Sequence, residues 1–352
     1  MKLHRTLRPF PVLAGLLVAF SGAVITTPHP AVADEMPATK ANATARVIAA
    51  ANAFLATLDD AGRAKALFAA DDAAQIKNWS NLPSGIYQRK GARMGDMTKP
   101  QRDAVNALLA SALSPMGYRK TMQIVEADEV LKLTSKGGPA FGRDEFFISF
   151  VGKPSATDRW IIQFGGHHLA LNITVIGSQN ILTPSHTAAQ PSSYIVDGKT
   201  IRPLGDETDA SFALINALDD AQKKEAIIGA AMRDLVLGPT QDGKTVMPEG
   251  VKVSSFNERQ KALLMELVGQ WVGMINSTAA AAKMAEIKAN LGETWFAWSG
   301  PTTPGSAAYF RVQGPTLWIE YAPQKLGGDA TKHLHTMYRD PSNDYGAKLL
   351  KK

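Results

Sequence analysis

The 352-residue sequence predicts an α+β fold made by internal duplication of one helices-plus-β-hairpin unit, with the two halves packed about a pseudo-twofold axis. Three matches between the halves, met in one order, carry that expectation. Residues 54–61 (Phe-Leu-Ala-Thr-Leu-Asp-Asp-Ala) return at 215–221 at an offset of 160 (59 to 219). Gly91, Met97 and Gln101 return as Gly250, Phe256 and Gln260 at an offset of 159 (101 to 260). Residues 146–150 and 161–165 return at 295–299 and 310–314 at an offset near 149 (165 to 314). Chance explains one such block, but not three in register with a slowly drifting offset.

Each half opens on a helical stretch that is basic and rich in alanine. A Gly/Pro-rich connection follows, and then an apolar helix, over 105–113 in one half and 263–275 in the other. A hairpin of aromatic and β-branched residues closes the unit. In the first hairpin Leu169, Leu171, Ile173 and Val175 alternate with His168, Ala170, Asn172 and Thr174. That period of two belongs to a half-buried strand, so His168 points away from the main core and His167 towards it. Gly165-Gly166 marks a turn or bulge just before them. Residues 183–203 read as a Pro/Ser-rich linker holding a hairpin turn at Val196-Asp197-Gly198-Lys199, and 230–237 read as helical.

Before the first unit, Lys2, Arg5 and Arg8 precede the apolar run 12–25, and Ala31-Val32-Ala33 offers the small residues a signal peptidase accepts. The chain therefore divides into an export signal over 1–33, a first repeat with its linker over 34–205, and a second repeat over 206–352. The expected location is periplasmic or secreted. The apolar run is shorter than the roughly 20 residues of a permanent span, so no stable membrane anchor is expected after cleavage. Losing the three leader cations lowers the net charge from +6 to +3 (35 Lys+Arg against 32 Asp+Glu). With no basic stripe interleaved with aromatic residues, nucleic acid is not an expected partner.

The chain has no cysteine, so any metal must be held by histidine and carboxylate. Of seven histidines, His4 and His29 lie in the leader and His186 in the linker, while His167/His168 and His333/His335 form two close pairs. Residues i and i+2 of a strand project to one face, so His333 and His335 form a chelate if extended. His168 and Glu320 can join them across the pseudo-twofold axis. Downstream, Arg339 is suited to clamp an anionic group, and Asp340 and Asp344 to orient a ligand imidazole or act as a base, with the alternative that these charges only pin the terminus. The octapeptide from Gly238 to Thr245 fits the phosphate-loop pattern letter by letter, but its context does not place it between a strand and a helix, so no nucleotide is expected. Serine and cysteine nucleophile motifs are missing.

Four blocks, 164–172 (Phe-Gly-Gly-His-His-Leu-Ala-Leu-Asn), 313–315, 319–321 and 333–340 (His-Leu-His-Thr-Met-Tyr-Arg-Asp), resemble the bacterial and fungal family catalogued as domain of unknown function 3500. The resemblance covers nearly all of the chain after the leader. It implies that these blocks travel together as one module, and it carries over no reaction, substrate or cofactor. Pro323-Gln324 departs from it, standing where a more acidic or amide-rich stretch is expected.

The leading expectation is an exported protein with a divalent metal, zinc or copper, on His168, His333 and His335, acting as a metal-dependent hydrolase on a small molecule. Glu320 is then a fourth ligand or general base, Arg339 the substrate clamp and Asp340 a catalytic partner, with His167, Asp344 and Asn172 as supporting or alternative ligands. The competing class is a non-catalytic periplasmic binding protein for a metal or small ligand. A third reading is a structural envelope protein whose histidines only make hydrogen bonds.

Overall fold

The computed structural model describes residues 40–134, 138–231, 233–326 and 328–350; the export-signal reading lies on residues outside these. The first half runs α1 (Lys40–Ala56), α2 (Asp60–Ala66), β1 (Leu67–Phe68), α3 (Ala73–Ile76), β2 (Ala92–Arg93), α4 (Lys99–Ala112), α5 (Pro115–Thr134), β3 (Phe147–Val151), β4 (Trp160–Gly166), β5 (Leu169–Ile176), β6 (Gln179–Ile181) and β7 (Ser185–Ala189). A small hairpin, β8 (Tyr194–Val196) and β9 (Lys199–Ile201), leads on. The second half runs α6 (Gly205–Ala217), α7 (Asp220–Ala226), β10 (Ile227–Gly229), β11 (Val251–Lys252), α8 (Glu258–Val272), α9 (Ser277–Ala289), β12 (Trp295–Ser299), β13 (Tyr309–Gly314), β14 (Leu317–Pro323) and β15 (Leu334–Arg339). Among the described residues no helix is long and apolar enough to cross a membrane.

The matched sequence blocks are where the helices start. Asp59 and Asp219 are N-caps, each accepting a backbone N–H three residues on, at 2.7 and 2.8 Å. Gln101 and Gln260 each complete a capping box, with Thr98 before α4 and Asn257 before α8. Such caps satisfy orphan backbone groups at the one place the chain must change from loop to helix.

One sheet joins both series in the order β1-β3-β4-β5-β7-β15-β14-β13-β12-β10, with β2, β6 and β11 pairing off this path. It reads alike from either edge: a short parallel strand outermost, then antiparallel neighbours to the centre. At the centre β7 pairs with β15, and Thr187 sits opposite Thr336 with hydroxyls 2.7 Å apart. The helices meet in the same way, Leu113 bridging Ile275, with Ser114 N–H donating to Met274 O at 2.9 Å and Asn276 N–H to Ala112 O at 3.2 Å.

Two expectations fail here. The stretch taken as a linker contains β7, the innermost strand, with all five residues buried. Ser-His-Thr-Ala-Ala lacks apolar alternation and is flanked by Pro184 and Pro191, so nothing local marks it; its burial comes from lying between two half-sheets. The 183–203 stretch does contain the expected Asp197-Gly198 turn, both residues at positive φ between β8 and β9. The second failure is the stretch 230–237, whose described residues, 230–231 and 233–237, are not helical. Its N–H groups at Val236 and Leu237 are taken by the Glu320 carboxylate, and the Leu237 and Gly238 carbonyls by Arg339, so side chains outcompete the helical ladder.

The two faces of the sheet differ. On one, α1, α4 and α5 bury Ile148, Phe150, Ile162, Leu171 and Ile173, while α6 and α8 bury Phe296, Trp298, Phe310, Val312 and Ile319. On the other, two long loops, 69–91 and 230–250, cover polar side chains, meeting at a small cluster of Trp79, Ala170, Leu235 and Met337. That second face holds His168, His186, His333 and His335.

Candidate metal centre

Strands β4 and β5 are joined by a two-residue turn, His167-His168, with His168 at φ 64°. The left-handed region costs a non-glycine residue of order 1 kcal/mol, so the surroundings must hold it. Asn81 does so in part, its carbonyl accepting the His168 N–H at 3.1 Å. Gly166 is needed just before, because a Cβ there would lie 2.7 Å from the Phe146 ring.

Register explains why distant histidines meet. Leu169 pairs with Thr187, so His168 stands level with Ala188, and Ala188 pairs with His335. Three strands therefore set His168, Ala188 and His335 abreast on the loop face, and the Ala188 methyl leaves space for imidazoles starting about 10 Å apart to lean together. His333, two residues before His335, shares that face. The result is three buried rings whose Nε2 atoms converge: His333 Nε2 is 2.9 Å from His168 Nε2 and 2.9 Å from His335 Nε2. All three ligand atoms lie within 4.8 Å of one another.

Their protonation follows from their partners. A carbonyl only accepts, so the 2.8 Å contact between His333 Nδ1 and Leu326 O places the proton on Nδ1 and leaves the Nε2 lone pair facing the centre. Burial lowers the pKa of all three rings, that of His168 and His335 well below the usual value, with the neighbouring imidazoles adding to the effect. A group of neutral imidazoles with inward lone pairs suits a transition metal. With metal–nitrogen bonds of about 2.0–2.1 Å, tetrahedral ligand nitrogens sit about 3.3 Å apart, an opening of roughly 0.4 Å from these contacts. A ligating histidine that donates its other N–H to a carbonyl is the usual device for fixing ring and tautomer.

His167 turns towards the helices, where its Nδ1 lies 2.6 Å from Asp128 Oδ1 on α5. Its ring stacks on His168 with centroids 3.6 Å apart, and Gly142 N–H holds the other Asp128 oxygen at 2.8 Å. Asp128, His167 and His168 form a second close donor group. Asn81 faces His335 Nδ1 at 3.4 Å. His186 is fully buried on β7, its ring 5.3 Å from that of His335, and neither of its nitrogens has a partner. Burial pushes its pKa down to about 3, and the His168 backbone near it does not reach hydrogen-bond geometry.

The remaining expected site residues are engaged elsewhere. Both Glu320 oxygens are filled: by Val236 N–H and Tyr309 O–H at 2.7 and 2.8 Å, and by Leu237 N–H and Trp318 Nε1–H at 2.8 and 2.7 Å. No lone pair remains to ligate or to act as a base. Arg339 is buried against the Leu237 and Gly238 carbonyls, Asp242 and Asp344. Asp340 pairs with Lys283 at 2.5 Å and accepts from Ser342. Asn172 lies in an amide chain running from Gln75 through Gln163 to the Pro184 carbonyl. The Gly238–Thr245 octapeptide leads into β11 rather than a helix, and its Asp242 pairs with Arg339 at 2.8 Å.

Sequence reasoning missed Asp128, Asn81 and His186. Only His186 had a signal: His186-Thr187 and His335-Thr336 share the offset of 149 (187 to 336) that relates the two hairpins. The family described as "Protein of unknown function (DUF3500)" matches residues 40–347, and the chain belongs to it. No curated protein and no solved structure matches the chain.

Proposed function

We propose that this chain binds a single transition-metal ion on His168, His333 and His335, as a binding protein rather than a hydrolase. The convergence of three Nε2 atoms at 2.9 Å contacts, one fixed as a bare lone pair by the Leu326 carbonyl, carries the reading. Hydrolysis has less support, because Glu320, Arg339 and Asp340 are spent on structural partners. Export to the periplasm or medium belongs to the same proposal and rests on the basic and apolar pattern of residues 1–33.

The scaffold beneath the site is proposed to be an internal duplication with a pseudo-twofold axis through the Thr187–Thr336 and Leu113–Ile275 contacts. The repeated element order and the sheet that reads alike from both edges support it. On this view the two halves supply unequal parts, His168 from a hairpin turn and His333/His335 from a central strand.

Elemental analysis of the purified chain beside His168→Ala tests the metal. One equivalent is expected in the parent and none in the variant, together with a rise in Tm on metal addition that the variant lacks. Equal metal content in both would end the assignment.

A further inference from the structure

We propose that the ion is monovalent copper, held three-coordinate by His168, His333 and His335; this rests on the metal centre proposed above. The donor set makes the first argument. The three nitrogens group without any carboxylate, so the protein brings no negative charge into direct contact with the ion. Hard cations such as magnesium and calcium demand oxygen ligands and have no claim on such a set.

Charge makes the second. The cost of burying an ion rises steeply with its charge, and these ligands are 2 to 8% exposed. Two acids lie nearby. Asp128 is buried behind the His167 ring, bonded to His167 and Gly142, and the buried Arg89 guanidinium, which donates to the Gly166 carbonyl at 2.7 Å, lies close enough to interact with it. Asp234 is at the surface, occupied by Gln324 and the Leu235 N–H. With Arg89 opposing Asp128, the buried side chains supply no surplus negative charge, so a divalent ion carries the larger burial cost. A divalent ion on three imidazoles would have to bring its own hydroxide or another anion.

The surroundings make the third. Beside the triad on the same face lie Ala188, His186 and, two residues on from His335, the fully buried Met337. None is an anionic fourth ligand. Three-coordination is acceptable to a d10 monovalent ion, which has no ligand-field demand for a fourth donor.

The experiment uses the purified chain stripped of metal. It is titrated with monovalent copper under argon against bicinchoninate, and separately with zinc against a chromophoric chelator. One copper per chain is expected, bound roughly 1,000-fold more tightly than zinc, with His333→Gln weakening copper by roughly 100-fold while circular dichroism stays unchanged. X-ray absorption should give three nitrogen scatterers near 2.0 Å and no fourth. Zinc binding as tight as copper, or a fourth oxygen scatterer, would overturn the copper assignment and leave the metal centre standing. Failure of both metals to bind would overturn the centre itself. Undiminished copper in His333→Gln would place the ion elsewhere on the chain and end the inference.

Discussion

His186 and His335 stand at matching places in the sheet and have different fates. Each directly precedes the threonine of the central Thr187–Thr336 pair, and each is buried on the loop face. His335 pairs with Ala188 and has His168 abreast, so its ring finds His333 and, beyond it, His168. His186 pairs with Met337 and has Ala170 abreast, and its nitrogens find nothing. What separates them is the residue one strand further on: His168 beyond Ala188 for His335, and Glu320 beyond Met337 for His186, its oxygens already filled by four donors. His167-His168 caps the first hairpin, while Pro315-Thr316 caps the second. The two central strands thus offer two seats for an imidazole, and the residue beyond the facing strand decides whether a cluster forms.

That comparison presumes two halves locked in one register, and the strongest way to break it is at the lock. Lys120 on α5 forms a buried ion pair with Glu207 on α6 and donates to the Gln270 carbonyl at 2.9 Å. Lys120→Met leaves the Glu207 carboxylate buried and unpaired, and about 3–5 kcal/mol of unfolding free energy should be lost in urea titration. The double variant Lys120→Met/Glu207→Leu should recover most of it, because a well-packed apolar pair replaces a poorly solvated ionic one. If the double variant is no better than the single one, the pair does not join the halves in the way the contacts indicate.

Much of this was legible in the sequence because caps and alternation are local. The Asp59/Asp219 and Gln101/Gln260 matches locate helix starts, and the 169–175 alternation locates β5 and the face that His168 takes. The partners of the histidines were not legible in the same way. Asp128 reaches His167 from a helix 39 residues earlier, and Glu320 finds its four donors through a loop whose course depends on the tertiary fold. The central strand was misread for a related reason: a strand buried between two half-sheets needs no apolar alternation of its own. Glu320 and Arg339 show the opposite error, in which charged residues near histidines suggest chemistry but are consumed in holding a loop.

The two central strands also end differently, which gives a prediction of intermediate size. β15 runs into Arg339, Asp340 and Asp344, whereas β7 ends at Ala189 before Gln190-Pro191. Burial raises the Asp344 pKa from 3.8 to about 6 against the opposing pull of Arg339. A carboxyl whose folded pKa is raised gives stability that is fully present below pH 3.8 and is lost as pH rises through 6. The parent should therefore lose stability relative to Asp344→Asn between about pH 4 and 7, by at most about 3 kcal/mol. Thermal unfolding of both proteins across that range checks it, and parallel curves would remove Asp344 as the cause.

The smallest effect tests the unpartnered seat directly. His186 has two buried nitrogens with no partner, and each such group costs free energy that a similar-sized apolar side chain would not. Its neighbours across the strands are the small Ala170 and the adaptable Met337, so a leucine can be seated without displacing a backbone. His186→Leu should be neutral or more stable by about 1 kcal/mol, and it should bind metal as the parent does, whereas His335→Leu should lose the metal. Urea unfolding read together with metal content separates the outcomes. A His186→Leu protein that is less stable and metal-free would mean that both seats serve the centre, and the inequality drawn between the two strands would be wrong.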